Sequence, residues 1–466
     1  MNNNRQSAAY GNPLGTLPVR QLMKKFAMPS IVAMLVSAVY NIVDQLFIGQ
    51  AVGTHGNAAT NIAFPLAMLC TSIALMFGIG GASSFNLKLG AGEEEQAPYY
   101  VGNAIFGLVF CGTILALVVE LFLQPLLIGF GSPSEVLPYA TDYVRITAIG
   151  FPFLILTIGG GHLIRADGSP KMTMLCNLSG AVINVFLDAL FVMAFGWGMA
   201  GAALATILGQ FFSAGLAINY LMHYKTVALG RKHMKPREEY LGFIMKIGAA
   251  SSINQLAMMV VQILLNNSLK YYGARSIYGE SIPIACAGIV SKCNQLFFSV
   301  VIGLSQGSQP IESFNYGAKR YDRVREAYFM AIKAGALISV IAFLLFQIFP
   351  RQLIGLFGEG TEEYYRFAVS YFRVYLFFTF ANFVQPISST FFTSIGKPAK
   401  GMFTSLTRQI IFLVPLILLL PMVMGIDGIL YAGPIADCLA AVVTTVLVVL
   451  EFRNMRKLEA AKNSSS

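Results

Sequence analysis

Ionisable side chains stand inside long apolar runs at Asp44, Glu120, Asp188, Lys292 and Asp437. A charge at membrane depth costs several kcal/mol even on lenient scales, so each of these groups needs a task or a partner. Asp44 lies roughly 18 residues, about 27 Å, along the first run, and Asp188 about 16 residues along the fifth. Asn184 precedes Asp188 by one helical turn, which puts amide and carboxylate on one face. Thr206 comes about seven residues into the sixth run, which returns from the far surface. Asp44, Asn184, Asp188 and Thr206 therefore meet at one depth. Two carboxylates, an amide oxygen and a hydroxyl can coordinate a small hard cation, or the carboxylates can share a proton. Either polar residue alone also suits a plain interhelical hydrogen bond. Lys292 and Asp437 sit at matching depth in the eighth and twelfth runs and are expected to form an ion pair. Glu120 lies near a run end, within reach of interfacial water.

The elements that carry these groups are membrane helices. Of 466 residues, 56% are hydrophobic and 12% charged, more apolar surface than one soluble core buries. Apolar blocks of about twenty residues match the length that crosses hydrocarbon as a helix. They lie near 26–48, 58–80, 99–123, 139–163, 172–195, 199–222, 242–268, 283–306, 327–349, 367–391, 402–424 and 428–452. The first block is too long for a signal-peptide core and is kept as a span. The +10 net charge does not imply nucleic acid. Most of the 32 Lys and Arg fall at the termini or in loops after even-numbered spans, for example Arg231, Lys232, Lys235 and Arg237. This distribution puts both termini in the cytoplasm, with basic surface facing anionic lipid. The cysteines all lie in spans and form no CxxC, the histidines make no ligand pair, and no phosphate-loop lysine follows the glycine clusters. Neither a disulfide framework, a metal, an ATP site nor another cofactor is expected.

The chain also repeats itself at an offset of about 225 to 230 residues. Phe77-Gly78-Ile79 parallels Ile302-Gly303-Leu304, Leu127-Ile128-Gly129 parallels Leu353-Ile354-Gly355, and Gly168-Ser169-Pro170 parallels Gly396-Lys397-Pro398. Six spans per half is an even number, so both halves enter the membrane with the same orientation and leave a cavity between two bundles. The expected fold is an all-α polytopic membrane protein: twelve helices in two pseudo-symmetric six-helix bundles around a central cavity. Its parts are a cytoplasmic segment 1–25, an N-lobe 26–222, a linker 223–240, a C-lobe 241–452 and a cytoplasmic tail 453–466. Pro29 in the first span is a candidate hinge.

Pro29 with the stretch Tyr40-Asn41-Ile42-Val43-Asp44 resembles the first-helix motif of multidrug and toxic compound extrusion (MATE) transporters. The segment from Asn184 through Asp188 to Gly198-Met199-Ala200-Gly201 and Thr206 is similar to the family's most recognisable stretch, and Arg165-Ala166-Asp167-Gly168-Ser169-Pro170 fits its fourth-to-fifth helix loop. The resemblance implies a bacterial cytoplasmic-membrane antiporter, acting as a monomer, that exports lipophilic organic cations against sodium or protons by alternating access. It places the cation site at Asp44, Asn184, Asp188 and Thr206. One branch of the family carries further acids in helices 7 and 10, where this chain has Asn254, Gln255, Gln262, Asn382 and Gln385. A flippase or exporter of a lipid-linked or other endogenous metabolite within the same superfamily is the alternative, and a flippase of a lipid-linked sugar calls for a strongly basic cavity. A membrane enzyme would need a clustered His, Asp or Glu motif, which the sequence lacks.

Overall fold

The computed structural model describes residues 12–464 except 131, 133, 280 and 357–360, so the first eleven residues of the expected 1–25 segment and the last two of the tail lie outside the described residues. Every regular element of the described residues is a helix, and ten helices are long and apolar enough to cross a membrane, or twelve when two bent pairs each count as one span. In chain order the spans are α1 (Val19–Ala51), α2 (Thr54–Gly90), α3 (Ala97–Leu121), α4 (Leu137–Ile149 with Phe151–Ala166), α5 (Pro170–Ala194) and α6 (Gly198–Met222). The second set is α7 (Glu238–Gly273), α8 (Ser281–Gly317), α9 (Tyr321–Ile348), α10 (Glu362–Ala381 with Val384–Ser394), α11 (Pro398–Met424) and α12 (Ile426–Ser464).

The repeated Gly-x-Pro signature has a local cause. Gly168 and Gly396 turn the chain at φ +80° and +73°, a region costly for residues with a Cβ, and Pro170 and Pro398 then open α5 and α11 at the first helical position. Packing repeats as well. Helix α1 packs on α5, α2 on α3 and α4, and α5 on α6, while α7 packs on α11, α8 on α9 and α10, and α11 on α12.

Several spans depart from the straight rods that hydropathy suggests. Helix α4 bends by 55° around Gly150, and α10 by 42° at its break. Helix α1 begins seven residues earlier than expected and runs unbroken through Pro29, where the Ser30 hydroxyl donates to the Phe26 carbonyl at 2.8 Å. Helix α8 continues well past residue 306, to Gly317.

The two sets of six meet through α1 with α8 and α2 with α7 and α8. Their closest approaches lie toward the face that carries the basic loops, and there backbone touches backbone. A Cβ on Gly248 would stand 1.8 Å from the Met76 carbonyl oxygen, and one on Gly90 2.0 Å from that of Phe314. Gly303 and Gly307 admit Ile31 and Ala27 of α1 in the same way. At these points the two sets are closed against each other toward the basic face.

The chain also crosses between the sets at this face. The short helix Pro13–Thr16 and Leu17, just before α1, lie against the other set: Asn315 donates to Leu14 O at 3.0 Å, and Arg323 to Leu14 O at 3.1 Å and Leu17 O at 2.5 Å. Arg320 donates to Gly15 O. Before α7, Asn103 of α3 clamps the linker, donating to His233 O at 3.1 Å and accepting from the Arg237 amide at 2.9 Å. Tyr99 and Tyr240 stack beside that clamp.

Candidate functional site

Helices α1, α5 and α6 bring the four predicted residues into one buried nook. Asp188 is completely buried, Asn184, Thr206 and Asp44 nearly so. Gly180 and Gly209 make this convergence possible. A Cβ on Gly209 would lie 2.8 Å from the Gly180 carbonyl oxygen, so α5 and α6 touch one turn from Asn184. The Asn184 amide is best oriented with its nitrogen donating to Asp188 Oδ2 at 3.0 Å and its oxygen accepting from the Thr206 amide at 3.2 Å. In the opposite orientation the nitrogen meets only the Thr206 hydroxyl, at 3.4 Å.

The carboxyls of Asp44 and Asp188 face each other within hydrogen-bonding reach. Oδ1 of each is buried without a donor. Two carboxylates so placed cannot both remain ionised unless a cation stands between them; otherwise the pair takes up a proton. The free Oδ1 atoms, the Thr206 hydroxyl and the Asn184 amide oxygen are all hard oxygen donors, so the nook suits a proton or a small alkali cation. Among the described residues no group of three or more His, Cys, Asp or Glu gathers as a metal cluster.

Two site residues escape the sequence reading. Tyr40, one turn before Asp44 on α1, and Tyr143 on the first segment of α4 both lie near enough to the two carboxyls to feel their charge. Tyr143-Val144-Arg145 has a counterpart in Tyr371-Phe372-Arg373, but that repeat does not mark the tyrosine as a site residue. Directly after Asp188, the chain widens into a π-helical turn over Ala189–Ala194, a feature that often marks functional positions and carries no simple sequence signal.

In the second set the expected Lys292–Asp437 pair does not form. Asp437 Oδ1 is bound by Arg408 Nε of α11, and its Oδ2 accepts from Asn382 Nδ2 of α10 at 3.0 Å. Lys292 matches Asp437 in depth but points elsewhere around α8, and among the described residues it makes no ion pair. Arg408 lies inside the 402–424 run, close to its basic end, and is not among the ionisable residues singled out from the sequence. Glu312 was hidden for a related reason: it lies beyond residue 306, yet is fully buried with both carboxyl oxygens lacking a donor. Glu120 is half-buried at the end of α3.

The MatE family model matches residues 29–190 and again 250–419, once in each set of six helices. The chain is 24% identical over 434 residues to the multidrug export protein MepA of Staphylococcus aureus (strain MSSA476), covering 93% of this chain and 94% of that protein. It is 23% identical to MepA of Staphylococcus haemolyticus (strain JCSC1435), covering 94% and 95%. Its fold superposes on a MATE crystal structure in complex with MaL6 with a TM-score of 0.89 at 21% identity, covering 96% of this chain and 99% of that one. An outward-facing multidrug resistance MATE family transporter of the MOP superfamily gives 0.87 at 21% identity, covering 96% and 98%.

Proposed function

The chain belongs to the MATE family of transporters, and from that premise we propose that it is a secondary antiporter that exports lipophilic organic cations in exchange for protons or sodium. The single observation that carries this reading is the facing pair Asp44 and Asp188, each with a buried oxygen that lacks a donor. With the pair ionised, the first lobe favours a cationic compound. A proton or sodium ion entering the nook neutralises it and shifts the balance toward release. The closure of the two sets toward the basic face supports an outward-facing state, the one in which such an exchange takes place. The positive-inside distribution supports a cytoplasmic membrane location with both termini inside. The protein works as a monomer in this reading, because each lobe pair encloses its own cavity.

Dye efflux from membrane vesicles, with sodium and pH varied separately, tests this. Asp44→Asn and Asp188→Asn are each expected to cut coupled efflux by at least about tenfold, the loss of roughly 1.4 kcal/mol or more of coupling. Efflux unchanged in both variants overturns the proposal.

A further inference from the structure

Lys292 is a charged residue that the coupling mechanism does not use. It lies three turns before Gly303 on α8, on the side that faces α1, because Gly303 itself touches Ile31. Helix geometry lifts Lys292 roughly 16 Å and Asp44 roughly 20 Å from that contact, so they stand within a turn of the same level. The surroundings are wet rather than lipidic. Ser291 and Gln295 are exposed beside Lys292, Asn41 of α1 and Asn61 of α2 are exposed on the helices opposite, and Asn266 is exposed on α7. Asn41 donates to Ser37 O and Asn266 accepts from Gln262 within their own helices, but hydrocarbon would leave the remaining polar atoms of these side chains unsatisfied, whereas a water-filled cavity between the lobes satisfies them. The Asp44 and Asp188 carboxyls are buried behind this wall, away from the ammonium. A half-buried lysine at membrane depth with no carboxylate partner among the described residues is a group waiting for an anion.

We propose that Lys292 is a substrate-binding residue, and that the compounds this protein exports carry a carboxylate beside their cationic, apolar body. The ammonium makes a charge-assisted hydrogen bond to that carboxylate while the body lies along the amide-lined cavity. The inference rests on the export reading above and narrows its substrate class to amphoteric molecules.

The test uses (4-carboxybutyl)triphenylphosphonium and its methyl ester, two phosphonium cations that differ in one carboxylate. Binding of each to the purified full-length protein in detergent is measured by displacement of a bound dye. The wild type is expected to bind the carboxylate about tenfold more tightly than the ester. Lys292→Gln brings the ratio to about one, Lys292→Arg preserves the preference, and Lys292→Glu reverses it. A wild type that prefers the ester, or a preference that survives Lys292→Gln, overturns the inference and leaves cation export standing if the ester is exported. A wild type that neither binds nor exports the two compounds removes both readings.

Discussion

The crossing of α5 with α6 and the crossing of α11 with α12 occupy corresponding places, related by the offset that also relates Gly168 to Gly396, yet they are built from opposite materials. The first is Gly180 against Gly209; the second is Arg408 bound to Asp437. Glycines bring two backbones together without filling space, so the polar residues a turn away converge and keep unsatisfied oxygens. The ion pair fills its crossing, and Asp437 has both oxygens engaged. One duplicated scaffold thus holds a buried carboxylate pair with unsatisfied oxygens in its first half and a self-satisfied brace in its second.

The largest expected effect breaks the brace. Asp437→Ala leaves the Arg408 charge buried without its partner, and should lower stability by about 3–5 kcal/mol, read as thermal unfolding in detergent. Joint replacement by Arg408→Met and Asp437→Leu should return stability to within about 1 kcal/mol of the wild type. A double variant as unstable as the single one would mean that the pair does more than brace. Next in size is Gly209→Ala. Its Cβ would meet the Gly180 carbonyl at 2.8 Å, spread α5 from α6 and cost about 1–3 kcal/mol, with dye efflux falling as Thr206 moves from Asn184.

The smallest effect concerns the clamps where the chain enters each set. Burial, then Lys232 and Arg237, hold the His233 imidazole below its usual range. Its neutral Nδ1 accepts from the Gly230 amide at 2.9 Å. Because the folded protein binds this proton less readily than the unfolded chain, the neutral-state contribution is present above the unfolded pKa of about 6.5 and is lost as pH falls from there toward the folded value. Amide exchange in the linker should therefore quicken modestly below about pH 6, after correction for intrinsic rates. Arg323, whose clamp on the first segment contains no histidine, predicts no such change around Leu14 and Leu17.

Hydropathy made the twelve spans legible because a membrane fixes helix length, and the cost of a buried charge made Asp44 and Asp188 legible one residue at a time. Depth along a span was legible too, but angle around it was not. Lys292 and Asp437 agree in depth and were paired for that reason, although Asp437 looks toward Arg408. Tyr40 and Tyr143 were hidden among many aromatic residues whose sequence context does not tell lipid-facing bulk from a site wall. The bend in α10 and the π turn after Asp188 depend on how neighbouring helices pack, whereas the bend in α4 carries a local mark, Gly150 followed by Pro152 at the start of the second segment.

The glycine seam at the basic face has a consequence for speed. Where Gly248 meets Met76 and Gly90 meets Phe314, the glycines contribute no side chain to the contact. Such a surface has few rotamers to freeze when it closes and few to release when it opens, so little conformational entropy opposes either direction. In the proposed exchange the two halves would part and rejoin there as rigid bodies, and the seam would leave the timing of the cycle to whatever binds above it.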